Sequence, residues 1–205
     1  MKIRNRILVI CFCFLLNSCY SNIEELDSEC ILFSFGDVEY FDEVNDIDKP
    51  YLDFTKIKMS ITNLAIEVSF ELLELPYGLR ASNSYTWAAE FDLDNSGGYG
   101  IVVFMRYSSD DHSSKEEISD ILDESNKYIE KIASDGVISR IGTFSSAEII
   151  DNSLVLNIER DEIGELSCID LNTPVRFVAY QTGPSSYEDR YPKNGFITPE
   201  SNNKN

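Results

Sequence analysis

The chain has 205 residues, and its 36 acidic against 17 basic side chains give a formal net charge of -19. So acidic a surface repels polyanions, which argues against nucleic acid and against adsorption to anionic lipid headgroups. It suits a protein that gathers divalent cations, or one that simply stays soluble.

Residues 1–6 carry Lys2, Arg4 and Arg6 and no acid, and residues 7–16 form an unbroken apolar run of ten. A helix that spans a bilayer needs roughly 20 apolar residues, so this run is too short, and a basic start before a short apolar run is the layout of a secretory signal. It ends in Leu16-Asn17-Ser18-Cys19, which resembles the lipobox of bacterial lipoproteins. The resemblance implies cleavage before Cys19, acylation of that residue, and attachment to the lipid bilayer. Tyr20 rather than Asp after the cysteine implies, in a double-membrane bacterium, the outer membrane. Each buried methylene contributes about 0.8 kcal/mol, so two or three acyl chains hold a soluble domain at a membrane. The alternative is an ordinary signal in which Cys19 is incidental.

Loss of residues 1–18 removes three positive charges and no acid, leaving 187 residues with a net charge of -22. That length suits one domain. Residues 19–35 read as the lipidated amino terminus and a polar tether, 36–196 as the folded domain, and 197–205 as a disordered tail. Cys11 and Cys13 leave with the signal. Cys30 and Cys168 remain, to pair as a disulfide between the two ends of the domain or to stay as two buried thiols.

Within the domain most segments read as strands. Residues 54–62 (FTKIKMSIT) alternate, with Phe54, Lys56 and Lys58 on one side and Ile57, Met59 and Ile61 on the other. Residues 65–73 (AIEVSFELL) set Ile66, Val68, Phe70 and Leu72 against Glu67, Ser69 and Glu71, and Asn63-Leu64 between the two runs predicts a tight hairpin. Residues 85–93 (YTWAAEFDL) and 99–107 (YGIVVFMRY) are aromatic and β-branched around a Gly-rich turn, and 154–158 and 175–180 add two later strands. Strands at this spacing predict a mainly β fold, a single antiparallel β-sandwich of immunoglobulin or jelly-roll type. Residues 113–133 (SSKEEISDILDESNKYIEKIA) break the pattern: apolar residues recur at helical spacing, predicting one inserted amphipathic helix.

The stretch 91–100 (FDLDNSGGYG) carries the most chemistry. Asp92, Asp94 and Ser96 alternate before Gly97, as at the start of a calcium loop, where alternate oxygens converge on one hard cation. Val103 stands where such a loop needs its bidentate Glu, so this is no EF-hand. The other reading is a hairpin turn of Asp, Asn and Gly that needs no ion.

The ordered segments GDV (36–38), PYLDFTKIKMS (50–60), AIEVSFELLELP (65–76), YTWAAEFDLDNSGGYG (85–100), NSLVLNIERDEIG (152–164) and TPVRFVAYQTG (173–183) with YEDRYPKNG (187–195) resemble exported bacterial sandwich domains. These are similar to the DOMON and family-9 carbohydrate-binding-module superfamily. The resemblance covers about residues 36–196. It implies structural Ca2+, with Asp92 and Asp94 as best ligands and Asp53 or Asp37 as helpers, and it makes the helix an insertion. Sugar-binding members use exposed aromatics, which directs attention to Tyr99, Tyr107, Tyr187 and Tyr191, with Trp87 expected in the core.

The expected function is a membrane-anchored, non-catalytic binding or scaffolding module at the cell envelope, with a protein or glycan partner. The alternative is a hydrolase working through two carboxylates. No G-x-S-x-G or H-E-x-x-H is present, and the single His, His112, lies among Ser and Asp. Haem is not expected: Met59 and Met105 read as core residues, and no C-x-x-C-H occurs.

Overall fold

The computed structural model describes residues 34–76, 83–95, 97, 100–108, 127–144, 146–161 and 164–199. Cys19, Cys30, Ser96, Tyr99, His112 and residues 113–126 of the expected helix lie outside them.

Among the described residues eleven strands form two antiparallel sheets. In chain order they are β1 (Gly36–Phe41), β2 (Phe54–Ile61), β3 (Ala65–Leu72), β4 (Ser84–Asp92), β5 (Gly100–Ser108), β6 (Lys127–Ile132), β7 (Ile138–Gly142), β8 (Ser146–Ile150), β9 (Ser153–Glu159), β10 (Val175–Thr182) and β11 (Tyr187–Tyr191). One sheet has the order β1-β2-β3-β9-β8 and the other β11-β10-β4-β5-β6-β7. The fold is mainly β, as the alternation predicts. A short 3-10 turn, Gly164–Cys168, precedes β10. Among the described residues no helix is long and apolar enough to cross a membrane.

The β2–β3 hairpin forms around Asn63 and Leu64, with Ile61 opposite Ile66. Ile66, Val68, Phe70 and Leu72 are all buried while Glu67 is exposed. Phe54 departs from the simple alternation. The β2–β3 register shifts between Phe54 and Lys56, and a bulge there brings Phe54 to the same buried side as Ile57. Phe54 stacks on Phe70 at 5.3 Å, and Phe177 of the opposite sheet meets Phe70 at 6.2 Å and Tyr40 at 5.5 Å. These rings join the two sheets at their centre. Each fully buried side chain of this size contributes about 1.5–3 kcal/mol.

Trp87 is buried in β4, and its indole N–H donates to the Tyr51 carbonyl at 3.1 Å. Met59 and Met105 are core residues. Residues 127–132, expected at the end of a helix, are strand β6, paired along β5 from Met105↔Lys127 to Gly100↔Ile132. KYIEKI satisfies both periods over so short a window, since Ile129 and Ile132 fit a helical face while β-branched and aromatic residues suit a strand. The open edge of β5 decides between them. The expected tail also begins later: Ile197 exchanges two backbone hydrogen bonds with Val175, at 2.8 and 2.9 Å.

Candidate functional site

A cluster of acidic residues stands at one end of the sandwich, where the β1–β2 connection meets β11. The connection is rich in acids (Asp42, Glu43, Asp46, Asp48, Asp53) and turns at Asn45, whose φ is 65°. The turn lets the Asn45 N–H donate to Asp53 Oδ2 at 2.7 Å. β11 reads YEDRY, and its alternation points Asp189 inward. Asp189 is 4% exposed. Its Oδ2 accepts the Phe54 N–H at 2.9 Å and its Oδ1 the Arg190 N–H at 2.7 Å. An inward carboxylate on an edge strand also discourages further strands from adding there.

One carboxylate oxygen from each of Asp42, Asp46 and Asp189 lies within 4.8 Å of the others. Asp53, at 0% exposure, sits behind them. Asp42 Oδ1 accepts the Glu43 N–H, but Asp42 Oδ2 and Asp53 Oδ1 are buried without a hydrogen-bond partner. Lys193 closes the rim, its ammonium 3.0 Å from Glu43 and 3.2 Å from Asp46.

The electrostatics follow from this crowding. Burial, with the charges of Asp42 and Asp46 beside it, pushes the Asp189 carboxyl up to about 7 against the pull of the Phe54 and Arg190 N–H groups. Burial also raises Asp42, helped by Asp46 and Asp53 and opposed by the Glu43 N–H and Lys193. Asp53 is raised by burial and by Asp46, against the Asn45 N–H. Hydrogen bonding to Glu43 and Asp46 holds the Lys193 ammonium above its ordinary range. Desolvated like charges at this spacing favour either a shared proton or a cation.

The structure separates the residues expected to share one ion. Asp92, opposite Gly100 at the β4–β5 turn, accepts the Gly97 N–H on Oδ2 at 2.8 Å, and its Oδ1 is buried without a partner. Asp94 is exposed. Asp53 belongs instead to the cluster beside Asp189, which is level with Ala179 and so with Trp87. Asp92 lies five positions beyond Trp87 on β4, about 16 Å along the strand. Asp37 is exposed on β1. Near Asp92 a cleft of about 70 Å³ opens between Glu90, Val102, Ile132, Arg176 and Phe196, with Arg176 paired to Glu90 and set over the Phe196 ring at 4.7 Å.

Of the tyrosines expected to offer a platform, Tyr191 packs on Tyr40 at 5.4 Å and Tyr187 lies under the Lys49 ammonium at 4.6 Å. Both pack against the core. Cys168 is disulfide-bonded; Cys30, its expected partner, lies outside the described residues. Sequence reasoning missed Asp42 and Asp46 and gave Asp189 no ligand role. The available signal was the acid density of residues 42–53 and the inward phase of Asp189 in YEDRY.

No family model, curated protein or solved structure matches the chain.

Proposed function

We propose that this chain is an exported bacterial lipoprotein, fastened to a membrane through acylated Cys19, whose sandwich is a non-catalytic binding or scaffolding module for a protein or glycan. One observation carries the non-catalytic part. Three of the buried charged groups hold backbone. Asp170 accepts from the N–H groups of Ser34 and Asn172, Asp189 from those of Phe54 and Arg190, and Arg160 donates to the carbonyls of Thr62 and Ser167. Carboxylates engaged in this way fix loops, and loops fixed on a rigid sandwich are where such domains recognise partners.

The anchor is tested by feeding a bacterial host a labelled fatty acid. The parent chain takes up label and fractionates with membranes; Cys19→Ala does neither. A Cys19→Ala chain that is still labelled and membrane-bound overturns the lipoprotein reading.

One observation favours a second reading, a carboxylate hydrolase. Asp189, protonated near neutrality, lies beside Asp42, as a general acid lies beside a nucleophile or base. Hydrolysis of aryl glycosides by the full chain, lost in Asp189→Asn, would replace the module reading.

A further inference from the structure

We propose that Asp42, Asp46 and Asp189, backed by Asp53, bind a hard divalent cation, calcium, with Lys193 as a tethered competitor for the same carboxylates. The inference goes beyond the module reading and stands whether or not Cys19 is acylated. It also differs from the calcium implied by the sequence resemblance, which falls on the Asp92 loop about 16 Å away along β4.

The geometry comes first. Two oxygens held about 2.4 Å from one calcium ion are at most about 4.8 Å apart. An oxygen from each of Asp42, Asp46 and Asp189 meets that limit. The donor set is carboxylate throughout, which suits calcium or magnesium and disfavours the softer metals that seek His or Cys.

The second observation is independent of the clustering. Asp53 is 0% exposed, and its Oδ1 has no hydrogen-bond partner; Asp42 Oδ2 is likewise buried and unpartnered. The two carboxyl groups feel each other's charge. A buried carboxylate oxygen with nothing to accept costs the full desolvation of that atom. A cation among the three ligands offsets that cost for Asp42, and its charge also favours the ionised Asp53, which stands outside the ligand group.

Lys193 sets the competition. Its ammonium contacts Asp46 and Glu43 on the rim and is 57% exposed, so it can swing into solvent when an ion arrives. The ion would then pin the β1–β2 connection of one sheet to the β11 edge of the other, where the Asp189–Phe54 hydrogen bond already joins them.

The test is calorimetric titration of CaCl2, and separately MgCl2, into the chelator-treated full chain in detergent, with melting curves in EDTA and in calcium. The parent binds calcium and melts higher with it. Asp46→Asn, a change that keeps the side chain's size on the rim of the cluster, binds at least tenfold more weakly. It melts no lower than the parent in EDTA and lower in calcium, a crossover that a purely structural role for Asp46 does not produce. Lys193→Gln binds severalfold more tightly. Asp92→Asn with Asp94→Asn leaves binding unchanged. The absence of heat and of a melting shift in the parent overturns the site, as does parental affinity in Asp46→Asn. Loss of binding confined to the Asp92, Asp94 variant moves the ion to the other loop and equally overturns it. Unaltered affinity in Lys193→Gln overturns the competition alone, and magnesium binding more tightly than calcium overturns the choice of ion.

Discussion

The carboxylate of Asp189, on the edge strand of one sheet, accepts the backbone N–H of Phe54 in the other at 2.9 Å. The pairing of β1 with β2 ends at Phe41↔Lys56, so beyond the last rung a side chain takes over from a strand. One atom pair thus joins the two sheets and shapes the acidic end.

This joint makes stability depend on pH. The Asp189 carboxyl titrates near 7 in the fold, against 3.8 for an ordinary Asp. Between those values the unfolded chain has lost a proton that the folded chain keeps. The contribution is therefore full below about pH 4, falls as pH rises through about 7, and is level beyond. Denaturant midpoints taken in EDTA from pH 4 to 8 should show parent and Asp189→Asn together at the acid end, with the parent lower at pH 8.

Trp87 is the only tryptophan in the chain and is buried at the centre of the sandwich. Its emission should be blue-shifted in the folded protein and move red in one step on unfolding. Trp87→Ala leaves a large void and removes the hydrogen bond to the Tyr51 carbonyl. A loss of about 3–5 kcal/mol is expected from the urea midpoint, followed by far-ultraviolet circular dichroism.

Gly100 opposes Asp92 where β4 turns into β5, and a Cβ there would stand 2.1 Å from the Phe91 carbonyl oxygen. That neighbour is backbone and cannot step aside. Gly100→Ala should cost about 1–3 kcal/mol, measured as a drop in the denaturation midpoint. Gly97→Ala, where a Cβ meets nothing within 4 Å but φ is +76°, should cost about 1 kcal/mol.

Arg160 is buried, and its two terminal nitrogens reach the carbonyls of Thr62 and Ser167. It thereby fastens the β2–β3 turn to the 3-10 turn before β10. Arg160→Met should cost about 1.5–3 kcal/mol by leaving both carbonyls unmet. Arg160→Lys should recover only part of this, because one ammonium cannot span two acceptors as a planar fork does. Urea midpoints of the two variants against the parent decide it.

The hairpin of β2 and β3 was legible because its alternation is local and its turn is two residues long. Phe54 was not, since a bulge shifts the phase of a strand without leaving a mark in composition. Residues 127–132 were misread for a related reason: KYIEKI fits two periods, and the choice is made by β5, not by the segment itself. The Asp92 loop drew attention because its acids are spaced in a recognisable local pattern. Asp42 and Asp189 are brought together only by the closing of the two sheets, and no spacing rule reaches that far.

The strand order has a consequence for when the molecule can form. β4 lies between β5, its immediate successor, and β10, whose Val175 pairs with Phe91 across 84 residues of sequence. β11, the last strand, supplies Asp189. A nascent chain that has emerged only as far as β9 has all five strands of one sheet but lacks β10 and β11 of the other, and its apolar inner faces find no lasting cover. Folding dominated by such distant pairings is slow. The second sheet therefore cannot close over the first until synthesis is nearly finished.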